Sequence, residues 1–123
     1  MRYVLLIYAS EATYSGMTQE ERIALMQAHS AFANETQQRG LLTSGEALQP
    51  TRTAATIRVR NGKTLITDGP FAETKEQLAG FYILNCTDLD EASTMAAMIP
   101  DAVACSIGIR RVIEFKLILA KQN

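Results

Sequence analysis

Two segments of this chain are apolar on both of their alternating faces, which narrows the folds open to it. In Tyr3-Val4-Leu5-Leu6-Ile7-Tyr8, Tyr3, Leu5 and Ile7 share one parity and Val4, Leu6 and Tyr8 the other. Gly80-Phe81-Tyr82-Ile83-Leu84-Asn85-Cys86 repeats the pattern, with Phe81 and Ile83 opposite Tyr82 and Leu84. Successive strand side chains point to opposite faces, so both segments predict strands of a sheet that must be covered on each side. The length of 123 residues supports one domain over residues 1–123, and 47% hydrophobic with 20% charged residues is the composition of a folded chain. Helices of the same chain can cover one face. The other requires either a second subunit, which predicts a homodimer with facing sheets, or the hairpin of residues 54–67 folded back over it.

The remaining elements follow from caps, breakers and periodicity. Thr18-Gln19-Glu20-Glu21 forms a capping box, and a helix over about 19–39 ends at Gly40. Leu25, Met26, Phe32 and Ala33 gather on its apolar face, with His29 and Thr36 in mid-band and Arg22 close to it. Residues 41–48 predict an irregular strand before Pro50, with Gly45 a bulge or a point of close approach. Residues 54–60 and 63–67 flank Asn61-Gly62, a pair suited to a type I′ hairpin turn. Asp68-Gly69-Pro70 breaks the second arm, and residues 71–78 form a polar connection. Asp88-Leu89-Asp90-Glu91 caps a short helix that Pro100 terminates, and residues 105–117 return to extended structure. The order β-α-β, hairpin, β-α-β predicts an α+β, ferredoxin-like split βαβ fold with an inserted β-hairpin.

Composition and spacing remove several functions. Twelve Lys and Arg against 13 Asp and Glu give a net charge of -1, which offers no basic footprint for nucleic acid. The apolar opening is too short to span a bilayer and lacks a cleavage site, so neither a membrane partner nor export is expected, and the default location is cytoplasmic. Cys86 and Cys105 have no metal-ligand spacing, and the one histidine has no second imidazole, so no metal site is expected. Neither GxGxxG, GxxxxGK[ST] nor GxSxG is present, and no cofactor is expected.

Chemistry is left to a few side chains. His29 on the apolar stripe of its helix is either a buried imidazole bonded to a carbonyl or a general acid and base near neutrality. Its natural carboxylate partner in the sequence is Asp68, which either orients the imidazole or holds the Gly-Pro turn. Arg22, one or two turns before His29, is placed to meet a substrate carboxylate or to snorkel. Arg110 shares its parity with Ser106 and Gly108, and is either an anion clamp beside small neighbours or a surface charge. A small anionic or polar ligand is the partner these residues fit.

The run Asp68-Gly69-Pro70-Phe71-Ala72-Glu73-Thr74-Lys75-Glu76-Gln77-Leu78-Ala79-Gly80-Phe81-Tyr82 resembles the DGPF proteins of the YCII-related family. The likeness extends through Gly40-Leu41-Leu42, Gly45 to Pro50, Asp88 to Ala92 and Ile109 to Val112, and so spans nearly the whole chain. It implies a bacterial, cytoplasmic domain that dimerises into an α+β barrel. It also implies an active-site His and Asp, which correspond to His29 and Asp68. Ala79-Gly80 stands where many relatives have Gly-Gly, and Arg110-Arg111 where many have Arg-Pro, the latter freeing a backbone donor in the last strand.

Three functions fit these residues. The first is a cofactor-independent isomerase or lyase in which His29 moves a proton, Asp68 orients it, and Arg22 or Arg110 steadies an anion. The second is a non-catalytic ligand-binding module, and the third is a dimeric accessory protein. The first requires the acid-base pair in an open cavity, and the third a filled core around His29.

Overall fold

A computed structural model describes residues 1–115 of the chain. It is a mixed α+β structure whose main sheet has four antiparallel strands. Strand β1 (Arg2–Ala9) is followed by helices α1 (Glu11–Ser15) and α2 (Gln19–Gln38), then β2 (Leu42–Ala47). A hairpin of β3 (Ala55–Arg60) and β4 (Lys63–Asp68) precedes β5 (Gln77–Asn85), α3 (Leu89–Ala97) and β6 (Ser106–Arg111). The sheet order β2-β5-β1-β6 is compatible with the ferredoxin-like α+β arrangement expected of a split βαβ pattern.

Local sequence accounts for the limits of α2. Thr18 accepts from the Glu21 N–H, and the Glu21 carboxylate accepts from the Thr18 N–H, so two free amides of the first turn are satisfied reciprocally. At the other end Gly40 turns left-handed at φ 73°. The Leu41 N–H then reaches Thr36 O, and the Gly40 N–H reaches Gln37 O. That pairing is a Schellman closure. The hairpin turn is also local in origin, because Asn61 and Gly62 take φ of 52° and 76°.

The core lies between the sheet and the helices. Tyr3, Leu5 and Ile7 of β1 and Leu84 of β5 are buried with Phe32 of α2 and Ala92, Met95 and Ala96 of α3. Both long helices therefore pack on one face of the sheet. On the other face Val4, Leu6, Phe81 and Ile83 are only half-buried, and no helix of the described chain packs there, while Glu76 accepts from the Ser106 hydroxyl beside Tyr8 at one end. The hairpin does not fold back to cover that face: β3 and β4 form a separate two-stranded sheet, and all of β4 is exposed.

The polar stretch between β1 and Thr18, to which the sequence assigned no element, holds the short helix α1 over Glu11–Ser15. Two expected boundaries are corrected. Strand β5 begins at Gln77 rather than residue 80, because β1 continues to Ala9 and pairs with Gln77 and Leu78 across an irregularity that passes over Ala79. Extended structure from 105 to 117 stops at Arg111. Its partner β1 starts at Arg2, whose carbonyl takes the last cross-strand bond from the Val112 N–H, so among the described residues no neighbouring strand remains beyond it. Leu117 and the chain end lie outside the described residues.

Gly45 of β2 is a point of close approach, while the irregularity in the β2 pairing falls between Leu42 and Ser44. A Cβ at Gly45 would lie 2.5 Å from Cδ1 of Tyr82, whose ring occupies that space. Gly45→Ala must displace the ring or part β2 from β5. It is expected to lower stability by about 1–3 kcal/mol in urea unfolding, as overpacking does. The Tyr82 ring resonances should move with it.

Candidate functional site

A stripe on α2 made by Leu25, His29, Phe32 and Thr36 faces the sheet at helical spacing. Phe32 packs on Tyr82 of β5 with ring centroids 4.7 Å apart and planes tilted by 55°. One turn earlier, His29 stacks along the same tyrosine at 5.9 Å. Beyond Phe32 the packing opens into a cavity of about 1160 Å³ between α2, the α1 region, β2 and β5. Its wall is largely apolar, with Ile7, Leu25, Met26, Leu48 and Leu78 among the lining residues. Polar side chains also line it, among them the cluster around His29, Arg22 and Arg52, and the carboxylates of Glu11 and Glu46.

Both ring nitrogens of His29 are engaged. Nδ1 lies 2.7 Å from the Tyr82 hydroxyl, and Nε2 is in direct contact with Oδ1 of Asp101. Asp101 belongs to a short 3₁₀ turn, Pro100–Val103, that follows α3, and it is only 7% exposed. Its Oδ2 accepts a hydrogen bond of 2.7 Å from the Tyr14 hydroxyl of α1. Four side chains from four elements thus form a continuous chain, Tyr14, Asp101, His29 and Tyr82. Buried polar groups require such partners, since an unpaired buried carboxylate is costly.

The electrostatics follow from this packing. Burial acts to raise the Asp101 carboxyl, but the hydrogen bonds from His29 and Tyr14 and the charge of His29 outweigh it and hold the carboxyl below its ordinary value. Burial and the neighbouring Asp101 anion push the Tyr14 phenol well above its ordinary value, so Tyr14 remains a donor. The Tyr82 phenol is raised by burial first and by the Asp101 charge second.

The sequence-predicted residues separate sharply. His29 lines the cavity, as does Arg22, whose Nη2 donates to Tyr14 O at 3.0 Å and so ties α2 to α1. Asp68 does not join them. It is exposed at the end of β4, opposite Ala55 in the hairpin, and is absent from the cavity wall. The described chain thus does not bring His29 and Asp68, the pair the sequence suggested, together: within the chain the carboxylate at His29 is Asp101. The turn after Asp68 is held by main-chain geometry, with Gly69 at φ 95° and its N–H bonded to Ala54 O at 2.7 Å. Arg110 pairs with Val4 on the opposite face of the sheet and does not line the cavity, so it is not placed to clamp an anion there.

Asp101, Tyr14, Tyr82 and the cavity-lining Arg52 were missed by sequence reasoning. Pro100 marked the end of a helix, and nothing local distinguishes a buried Asp after it from an exposed one. Cys86 and Cys105 are free thiols, and among the described residues no three His, Cys, Asp or Glu side chains converge as a metal site.

A depressed carboxyl contributes stability above its unfolded value, near pH 3.9, and loses it as pH falls through the lower folded value. Unfolding free energy is therefore expected to decline below about pH 4. In Asp101→Asn that part of the acid-side slope should vanish, which urea titrations from pH 2 to 7 would measure.

Comparison with known proteins agrees with the extent of the fold. The model of the YCII-related domain family matches residues 1–116. An uncharacterised protein of Rhizobium meliloti (strain 1021) is 42% identical over 102 residues, covering 83% of this chain and 82% of that protein. None of the described helices is long and apolar enough to cross a membrane.

Proposed function

The chain belongs to the YCII-related domain family, and we propose that it is a cofactor-independent enzyme moving a proton on a small molecule, of the isomerase or lyase type. The observation that carries this reading is the single histidine, suspended between a buried carboxylate and a tyrosine hydroxyl on the wall of an apolar cavity. A carboxylate on one ring nitrogen fixes the tautomer and stabilises the imidazolium formed when a proton arrives. An apolar wall keeps water from competing for that proton and strengthens the local electrostatics. Arg52 on the same wall, with Glu11 beside it and Arg22 committed to Tyr14 O, suits a ligand with an apolar body and one polar or anionic group.

Exchange of solvent deuterium into small carbon acids tests this directly. A panel headed by phenylpyruvate, which joins an acidic C–H to a ring and a carboxylate, would be incubated in deuterated buffer with wild type and with His29→Ala. General acid-base catalysis contributes about 10²–10⁴-fold, so the variant is expected to lose at least about a hundredfold. Exchange at the buffer rate across the panel, despite binding in the cavity, would leave a ligand-binding module instead.

The working unit in this reading is a homodimer, closed as an α+β barrel in the bacterial cytoplasm. Its support is the half-buried apolar sheet face of Val4, Leu6, Phe81 and Ile83, together with Phe71, 80% exposed in the turn after β4. A second copy would remove both from water. Sedimentation is expected to give a dimer for wild type and a folded monomer for Ile83→Lys. A wild-type monomer at micromolar concentration would end the dimer proposal.

A further inference from the structure

The hydrogen bonding around His29 leaves neither ring nitrogen free to meet a ligand. Asp101 occupies Nε2 and Tyr82 occupies Nδ1, while Tyr82 is itself one of the residues that line the cavity. From this geometry we infer that the Tyr82 hydroxyl is the group that touches the ligand, and that proton uptake by His29 reverses its hydrogen-bonding polarity. The inference rests on the proton-transfer reading of the cavity and names the atom through which it works.

Proton counting supplies the argument. Asp101 is an acceptor, so the proton of neutral His29 sits on Nε2 and leaves Nδ1 as an acceptor. The Tyr82 O–H then donates to Nδ1, and its oxygen offers only lone pairs to the cavity. When His29 is an imidazolium, both nitrogens donate. Nδ1–H now donates to the Tyr82 oxygen, and the phenolic hydrogen must turn elsewhere. The space open to it is the cavity, where it can donate to a carbonyl or an enolate oxygen.

One turnover would use both states. The ligand C–H bond breaks as its proton joins the Tyr82 oxygen, while the Tyr82 O–H proton passes to Nδ1. The products are a ligand carbanion or enolate, a neutral Tyr82 and an imidazolium paired with Asp101, so charge and protons balance. Return of the proton to a different carbon reverses the same relay and completes an isomerisation. Tyr82 is held for this by Phe32 on one side and by the missing side chain of Gly45 on another.

Other charged groups around the cluster do not mimic the effect. Arg22 lies on the same helix, Glu11 and Tyr14 on α1, Glu46 on β2, Arg52 in the turn before β3, and the Cys105 thiol beside Tyr14 and Asp101. Carboxylates and guanidinium groups keep their charges between about pH 5.5 and 8, which is the range in which an imidazole ordinarily changes its own. Burial pushes the Cys105 thiol up and away from that range.

Two probes separate the states: acetophenone, which only accepts a hydrogen bond, and indole, whose N–H only donates. Their dissociation constants would be measured by NMR between pH 5.5 and 8, beside the titration of the His29 ring. Acetophenone is expected to bind about two- to tenfold more tightly where the ring signals report a protonated His29, and indole by a similar factor where they report a neutral one, as a single neutral hydrogen bond allows. In Tyr82→Phe both dependences on the protonation state of His29 should flatten. Parallel rather than opposed dependences, their survival in Tyr82→Phe, or no response of Tyr82 to either probe would overturn the assignment. Loss of deuterium exchange with opposed probe dependences intact would instead remove the catalytic reading and leave the switch.

Discussion

A carboxylate withdrawn from water is the constraint on which the functional half of this molecule depends. Asp101 is buried, and its desolvation is offset chiefly because Tyr14 and His29 reach it from two different helices. Those contacts pin the short helix α1, the long helix α2 and the turn after α3 to one another. Removing any partner leaves charge or lone pairs uncompensated in a confined space, so the cluster acts as a unit. The position of the His29 ring, and through it of the Tyr82 hydroxyl, follows from that requirement.

The apolar packing beneath the cluster does a different task. Phe32 on Tyr82, and the absence of a side chain at Gly45, bring α2 close to the sheet at one end. Towards its N-terminal half the helix presents Met26, 69% exposed, and the cavity opens there. A tightly packed end and an open end on the same helix put the acid-base residue at the boundary between core and ligand space. The α1–α2 connection, tied by Arg22 to Tyr14 O, forms the outer wall.

Much of the fold was legible because its signals are local. The capping box at Thr18, the Schellman closure at Gly40, the Asn61-Gly62 turn and the alternation in β1 and β5 each involve residues a few positions apart. Helix α1 escaped notice because five residues carry little periodic signal and Ser10 makes no side-chain cap. The end of β6 was set by the start of its partner strand rather than by its own alternating pattern.

The site divides along the same line. Sequence alone determined that the one histidine lies on an inward stripe of a helix, since helical periodicity dictates which residues share a face. It also determined that the sheet has two apolar faces, and that Asp68 stands at a turn. Only the tertiary structure decided that the carboxylate at His29 is Asp101, 72 positions away, and that Arg110 belongs to the other side of the sheet. Both outcomes depend on how α2 and the turn after α3 settle on a common sheet face. Periodicity orients a side chain relative to its own element, whereas a contact between elements is chosen by the packing of the whole core.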